Sequence, residues 1–240
     1  MNTEQDNAIA ELRALNLSPK QIARKLGLRP AEVKAVIKQQ AAQVMQERTI
    51  SGEQDPIFEC LINAAAMKLL EPTTTEPSYS SYPPDEADSP MEDGLVTVTV
   101  TRQAGYNRLV VCAYLVDVWC LGVKDAFRPR RLNQSDYNTQ MAQIYSFFPD
   151  PTYHAISLEQ AQAVVFSALE YAEQLGFKPH QDFESARSHL GEWDGQLRIE
   201  CGRNGKPFYI DGPYDDSQQV MNTLMQTVGE GNFDFIVGID

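Results

Sequence analysis

Residues 71–94 read EPTTTEPSYSSYPPDEADSPMEDG, with five prolines, seven acids and no lysine or arginine. Proline lacks a backbone donor and fixes φ, and neighbouring carboxylates repel one another, so such a run is a poor source of core helix or internal strand. Neither a 3.6-residue nor a 2-residue apolar period passes through it. It reads as a disordered Pro/acidic linker. Ordered structure is then expected in two stretches, an all-α unit over 1–70 and a mixed unit over 95–240. A part of about 150 residues buries enough surface to fold alone.

The first stretch is punctuated as helices. In LSPKQIARKLGLRPAEVKAVIKQ, residues 17–39, Ser18 is an N-cap and Pro19 sits just inside a helix. Leu26-Gly27-Leu28 is a turn, and Pro30 opens a second helix with Val33, Val36 and Ile37 facing inward. Ala10, Leu12 and Leu15 supply a preceding helix. Asp55-Pro56 repeats the cap-and-proline signal. Ile57, Phe58, Leu61, Ile62, Ala65 and Leu69 then fall at helical spacing, which predicts a last helix that closes the unit's core or pairs with a second chain.

This pattern resembles the helix-turn-helix of bacterial DNA-binding proteins. That motif takes a small residue where its helices cross, matched by Ala23, and a glycine in the turn four residues on, matched by Gly27. It takes apolar residues around the glycine and in the second helix, matched by Leu26, Leu28, Val33 and Val36. The resemblance covers residues 10–48. It implies that the helix over 30–47 lies in the major groove. Phosphate contacts would come from Lys20, Arg24, Lys25 and Lys38, and base contacts from Arg29, Lys34 and Gln39. Ala31, Ala35 and Glu32 are weak or unusual readers, so one copy would discriminate bases poorly and a tight operator would need a homodimer.

The formal net charge of -13 argues against binding nucleic acid over the whole surface. Residues 1–50, however, hold 8 Lys/Arg against 5 Asp/Glu, so the remainder carries -16. A locally basic end on an acidic body can still bind a polyanion. No 18-residue apolar run occurs, so no membrane span is expected, and the start MNTEQDNAIAEL lacks a secretory pattern. A cytoplasmic location is the expectation. Cys60, Cys112, Cys120 and Cys201 form no CxxC pair and read as ordinary buried thiols, with Cys112 and Cys120 eight apart on one face of a strand.

The second stretch alternates strictly in LVTVTVT at 95–101, turns at QAGYN over 103–107, and continues as a strand over 109–120. Ser157 with Gln160 forms a capping box for a helix stopped by Gly176. Asp182 starts a shorter helix. Asn204-Gly205 joins strands at 196–201 and 207–211 in a hairpin. A helix from Asp215 or Asp216 to Val228 and a strand over 233–238 follow. The order ββα(α)ββαβ predicts an α+β domain with a mostly antiparallel sheet.

Chemistry is sparser here. Asp117 interrupts an apolar strand, and Cys120 and Lys124 lie close by; the bland account of Asp117 is an edge-strand acid facing solvent. Phe127 to Arg131, FRPRR, reads as a basic loop able to hold a phosphate or acidic peptide, though local carboxylates are the commoner partners. His180, Asp182 and Glu184 sketch a metal site without a recognised ligand spacing, and no family signature surrounds a cysteine to pair it with His154, His180 or His189. The acidic turn 208–216 clusters oxygens as a cation site would, but Gly212-Pro213 and a cap from Asp215 or Asp216 explain it better. With no phosphate loop or GxGxxG, no cofactor is expected. Catalytic and metal-ligand residues are therefore unassigned. The reading is a DNA-binding transcriptional regulator whose acidic domain binds a ligand or protein. An adaptor whose helical module binds protein or RNA, and an enzyme using Asp117, Lys124 or Cys120, are the alternatives.

Overall fold

The computed structural model describes residues 3–15, 17–51, 54–71 and 94–237, without the side chains of residue 3 and of residues 41–51. It divides into two units at Asp55/Pro56. The first holds α1 (Thr3–Ala14), α2 (Pro19–Leu26) and α3 (Pro30–Ser51). Ser18 and Gln21 complete a capping box at the start of α2, and Gly27 ends that helix at φ 65°, a left-handed conformation in which a Cβ is strained. Ile9, Ile22, Ala23, Val33 and Val36 are buried together, flanked by Leu12, Leu17, Leu26, Leu28 and Ile37. The Gln40 amide donates to the Asp6 carbonyl at 2.7 Å, tying α3 to α1.

The second unit is built on β1 (Ile57–Asn63), β2 (Leu95–Gly105), β3 (Arg108–Asp117), β4 (Gly122–Leu132) and β5 (Tyr153–Ile156). They form one sheet in the order β4-β3-β2-β1-β5 with every neighbour antiparallel. A 3-10 helix, Ala64–Leu70, follows β1. Val96, Val98 and Val100 face a core shared with α5 (Leu158–Gln174) and α6 (Phe183–Leu190). Thr97, Thr99 and Thr101, the polar half of the alternation, are buried as well. They lie on the face covered by α4 (Gln134–Tyr145), where the Thr101 hydroxyl donates to Tyr137 and the Thr99 and Tyr145 hydroxyls pair, each at 3.2 Å. A smaller cluster joins Cys120, Leu175, Tyr209, Leu224 and Phe233 around β6 (Phe208–Ile210), α7 (Ser217–Thr227) and β7 (Asp234–Ile236). The α+β class with an antiparallel main sheet is observed.

Several expectations change. The segment expected to form the first unit's last helix is β1 and the 3-10 helix instead. Cys60 and Ile62 face the α5 side while Leu61 faces α4, so β1 is apolar on both faces and its run mimics helical spacing. Because β1 pairs with β2 at Cys60↔Val100 and Ile62↔Val98, residues 57–70 belong to the second unit, not to a domain over 1–70. Residues 71–94 thus connect the 3-10 helix to β2 inside the second unit and do not separate the units; the reading of them as disordered falls on 72–93, outside the described residues.

FRPRR is the exposed end of β4, not a loop: an edge strand tolerates Pro129 and charged side chains. Asn204-Gly205 makes its turn, with Arg203 bridged to Lys206, but the expected hairpin does not extend beyond it. Residues 196–201 form no strand, and β6 pairs in parallel with β7. The turn expected at 103–107 narrows to Tyr106-Asn107, since β2 runs on to Gly105. β3 ends at Asp117, so Cys120 lies in the following turn and does not share a strand face with Cys112. The elements β4, α4 and β5 are additional to the expected order.

Candidate nucleic-acid interface

The outward positions of α2 and α3 carry the charge. From residue 17 to 40 the chain has six Lys/Arg and one acid, Glu32. Burial of Ile22 and Ala23 turns Lys20, Arg24 and Lys25 outward on α2, and burial of Val33 and Val36 does the same for Lys34, Lys38 and Gln39 on α3. Arg29 stands in the turn between them. All seven side chains are exposed. Among the described residues, none of the six cations is ion-paired with a carboxylate. Ala31 and Ala35 are exposed on the same stretch of α3 as Lys34 and Lys38, which leaves that side of the helix low in profile.

Glu32 is committed locally: its Oε2 accepts the Arg29 backbone N–H at 2.9 Å. That engagement is absent from the sequence reading, although Arg-Pro-x-Glu repeats the spacing of Ser-Pro-x-Gln at the start of α2. The sole acid between residues 17 and 40 is therefore a helix cap.

In the second unit the groups with possible chemistry are held in structural contacts. Asp117 is buried, not solvent-facing, and its carboxylate accepts backbone N–H bonds from Trp119, Cys120 and Leu121 at 2.9, 3.0 and 3.1 Å. Burial pushes its pKa up to about 6, against the pull of those donors and of Lys124. Lys124 Nζ bonds Asp215 Oδ2 at 2.7 Å. Burial also raises the thiols, Cys60 to about 11 and Cys112 and Cys201 to about 12, with Cys120 raised too. Protonated thiols of this kind are poor nucleophiles and poor metal ligands.

The histidines stand apart. His189 Nε2 lies 3.1 Å from the carbonyls of both Val100 and Val110, a cross-link between β2 and β3. His180 Nδ1 lies 3.5 Å from Asp125, and Asp182 instead engages Arg128 at 2.7 Å. The sketched His180–Asp182–Glu184 set is not drawn together, and among the described residues no three His, Cys, Asp or Glu side chains are grouped to hold a metal. Arg130 of the FRPRR segment bonds Gln140 at 2.9 Å. Asp216 caps α7 by accepting from Gln219 N at 3.0 Å. A shallow depression of about 470 Å³ on α7 is lined by Asp216, Gln218, Gln219, Asn222, Thr223 and Gln226. No described helix is long and apolar enough to cross a membrane.

Compared with protein-family models, with curated protein sequences and with solved structures, the chain matches none of them.

Proposed function

We propose that α1–α3 act as a helix-turn-helix DNA-binding module, with α3 as the recognition helix, and that the protein is a DNA-binding regulator. The observation that carries this reading is the set of six exposed cations on or between α2 and α3, without a carboxylate ion-pair partner among the described residues. A merely solvated charged surface of this size commonly intersperses acids with its bases, and the one acid between residues 17 and 40 caps a helix. Lys20, Arg24, Lys25 and Lys38 serve phosphates, and Arg29, Lys34 and Gln39 face base edges. The acidic second unit then serves as the part that recruits a protein or senses a ligand. It also disfavours coating of DNA away from the basic helices.

The test is fluorescence anisotropy of the full chain against labelled duplex DNA and single-stranded RNA across a salt series. Four phosphate contacts predict a log–log salt slope of about -3.6 on duplex DNA. Arg24→Ala and Lys25→Ala should each flatten the slope by about 1 on every sequence. Absence of duplex binding at low salt overturns the reading. Preference for RNA, or no nucleic-acid binding at all, moves the module to the adaptor class.

A further inference from the structure

The two helices of the proposed interface begin with one four-residue pattern filled in two ways. At α2 the pattern is Ser18-Pro19-Lys20-Gln21, and the bonds are reciprocal. Gln21 Oε1 accepts the Ser18 N–H at 2.8 Å, and Ser18 Oγ accepts the Gln21 N–H at 3.4 Å. At α3 it is Arg29-Pro30-Ala31-Glu32, and only the backward half exists, Glu32 Oε2 accepting the Arg29 N–H at 2.9 Å. Arg29 is the N-cap, since its carbonyl accepts the Val33 N–H at 3.2 Å. A guanidinium has five donors and no acceptor, so it cannot supply the forward half.

Arginine is thus placed where Ser, Thr, Asp or Asn would stabilise the helix. Its side chain is exposed and no packing or ion-pairing role offsets the loss. A position that breaks a local rule with no gain to the fold is where function is expected.

Resting on the DNA-binding reading above, we propose that Arg29 is held at this cap to read a single guanine, and that Glu32 is the positioning residue that aims it. A phosphate contact needs only a cation within reach. Bidentate engagement of guanine O6 and N7 needs the planar fork of a guanidinium, and a restrained root lowers the cost of orienting it. Both sides of that root are restrained. Glu32 pins the Arg29 N–H, and Pro30 restricts the backbone of the residue before it.

The experiment selects duplexes from a pool with a randomised core, using the full chain and the variants Arg29→Lys, Arg29→Ser, Glu32→Gln and Glu32→Ala. The wild type should enrich one guanine per bound copy, with discrimination of roughly 5- to 150-fold. Arg29→Lys keeps the charge and should lose that preference. Glu32→Gln still accepts the Arg29 N–H and should retain it; Glu32→Ala should lose it without losing affinity for unselected DNA. Arg29→Ser completes the capping box, so hydrogen exchange in the first turn of α3 should slow about fivefold while the guanine preference disappears. The exchange data also report whether each variant is folded. A guanine preference that survives in Arg29→Lys and Arg29→Ser overturns the inference alone. A loss in Glu32→Ala that is equal on every sequence overturns the positioning role. A wild type that enriches no duplex overturns the DNA-binding reading and the inference with it.

Discussion

At Asp117 two forces oppose each other. Burial favours the neutral carboxyl, while three backbone N–H donors and Lys124 favour the carboxylate, and burial prevails to leave the group near pKa 6. The unfolded chain titrates the same group at 3.8. Between these values the folded state binds more protons, so this contribution is fully present below the unfolded value and is lost as pH rises through the folded one. Asp117→Asn removes the titration, though its amide nitrogen cannot accept the Leu121 N–H, a cost that does not vary with pH. The stability of wild type relative to Asp117→Asn should therefore fall by about 2–3 kcal/mol from pH 4 to pH 7 in urea unfolding. A difference that stays flat over that range contradicts the assignment. The sequence exposed the acid as an anomaly in an apolar run but not its solution. That depends on three successive N–H groups curling back toward the carboxylate after β3, a turn geometry that burial patterning cannot read. Glu32 is similar: its spacing to Arg29 is visible in the sequence, whereas its commitment to the Arg29 N–H depends on the backbone turn at the start of α3.

Elements whose signals are local were legible. Ser157–Gln160 forms the reciprocal bonds its spacing predicts, Ser18 caps α2 as expected with Gln21 completing a box there too, and all seven candidate contact residues are exposed, six on the helices and Arg29 in the turn. Elements that depend on distant partners were not. Residues 196–201 had an Asn-Gly turn ahead of them but no strand to pair with, and β4 carries the proline and arginines of an edge that periodicity alone reads as loop. The start of β4 shows how tightly such non-local contacts bind. Gly122 has φ 69°, and a Cβ there would lie 2.6 Å from Ala172 Cβ and 2.9 Å from the Ala168 carbonyl oxygen on α5. Gly122→Ala combines left-handed strain with overpacking against helix backbone and should cost about 2–4 kcal/mol. Gly205→Ala, at φ 77° but with nothing within 4 Å, keeps only the strain and should cost about 1 kcal/mol. Equal costs at the two sites, measured by urea unfolding, would show that α5 yields to the added methyl.

At the scale of the whole molecule, the position of β1 decides where the chain divides. The Pro/acidic run interrupts sequence patterning so strongly that it suggests a boundary between units, yet the pairing of β1 with β2 and β5 makes it a connection within one. α3 ends at Ser51 and β1 starts at Ile57, so the chain passes from the helical unit to the sheet over residues 52–56. A sheet strand flanked on both sides cannot be removed without exposing two rows of backbone donors and acceptors and opening both cores. Cys60 and Ile62 leave the α5 side, and Leu61 leaves the α4 side. Cutting the chain to 56–240 should therefore preserve a single cooperative thermal transition by circular dichroism. Cutting it to 71–240 should abolish that transition, because β5 loses its pairing partner and β2 loses one of its two neighbours. Cooperative unfolding of 71–240 with undiminished strand signal would mean that β1 is dispensable, and the unit would then begin after the acidic run rather than before β1.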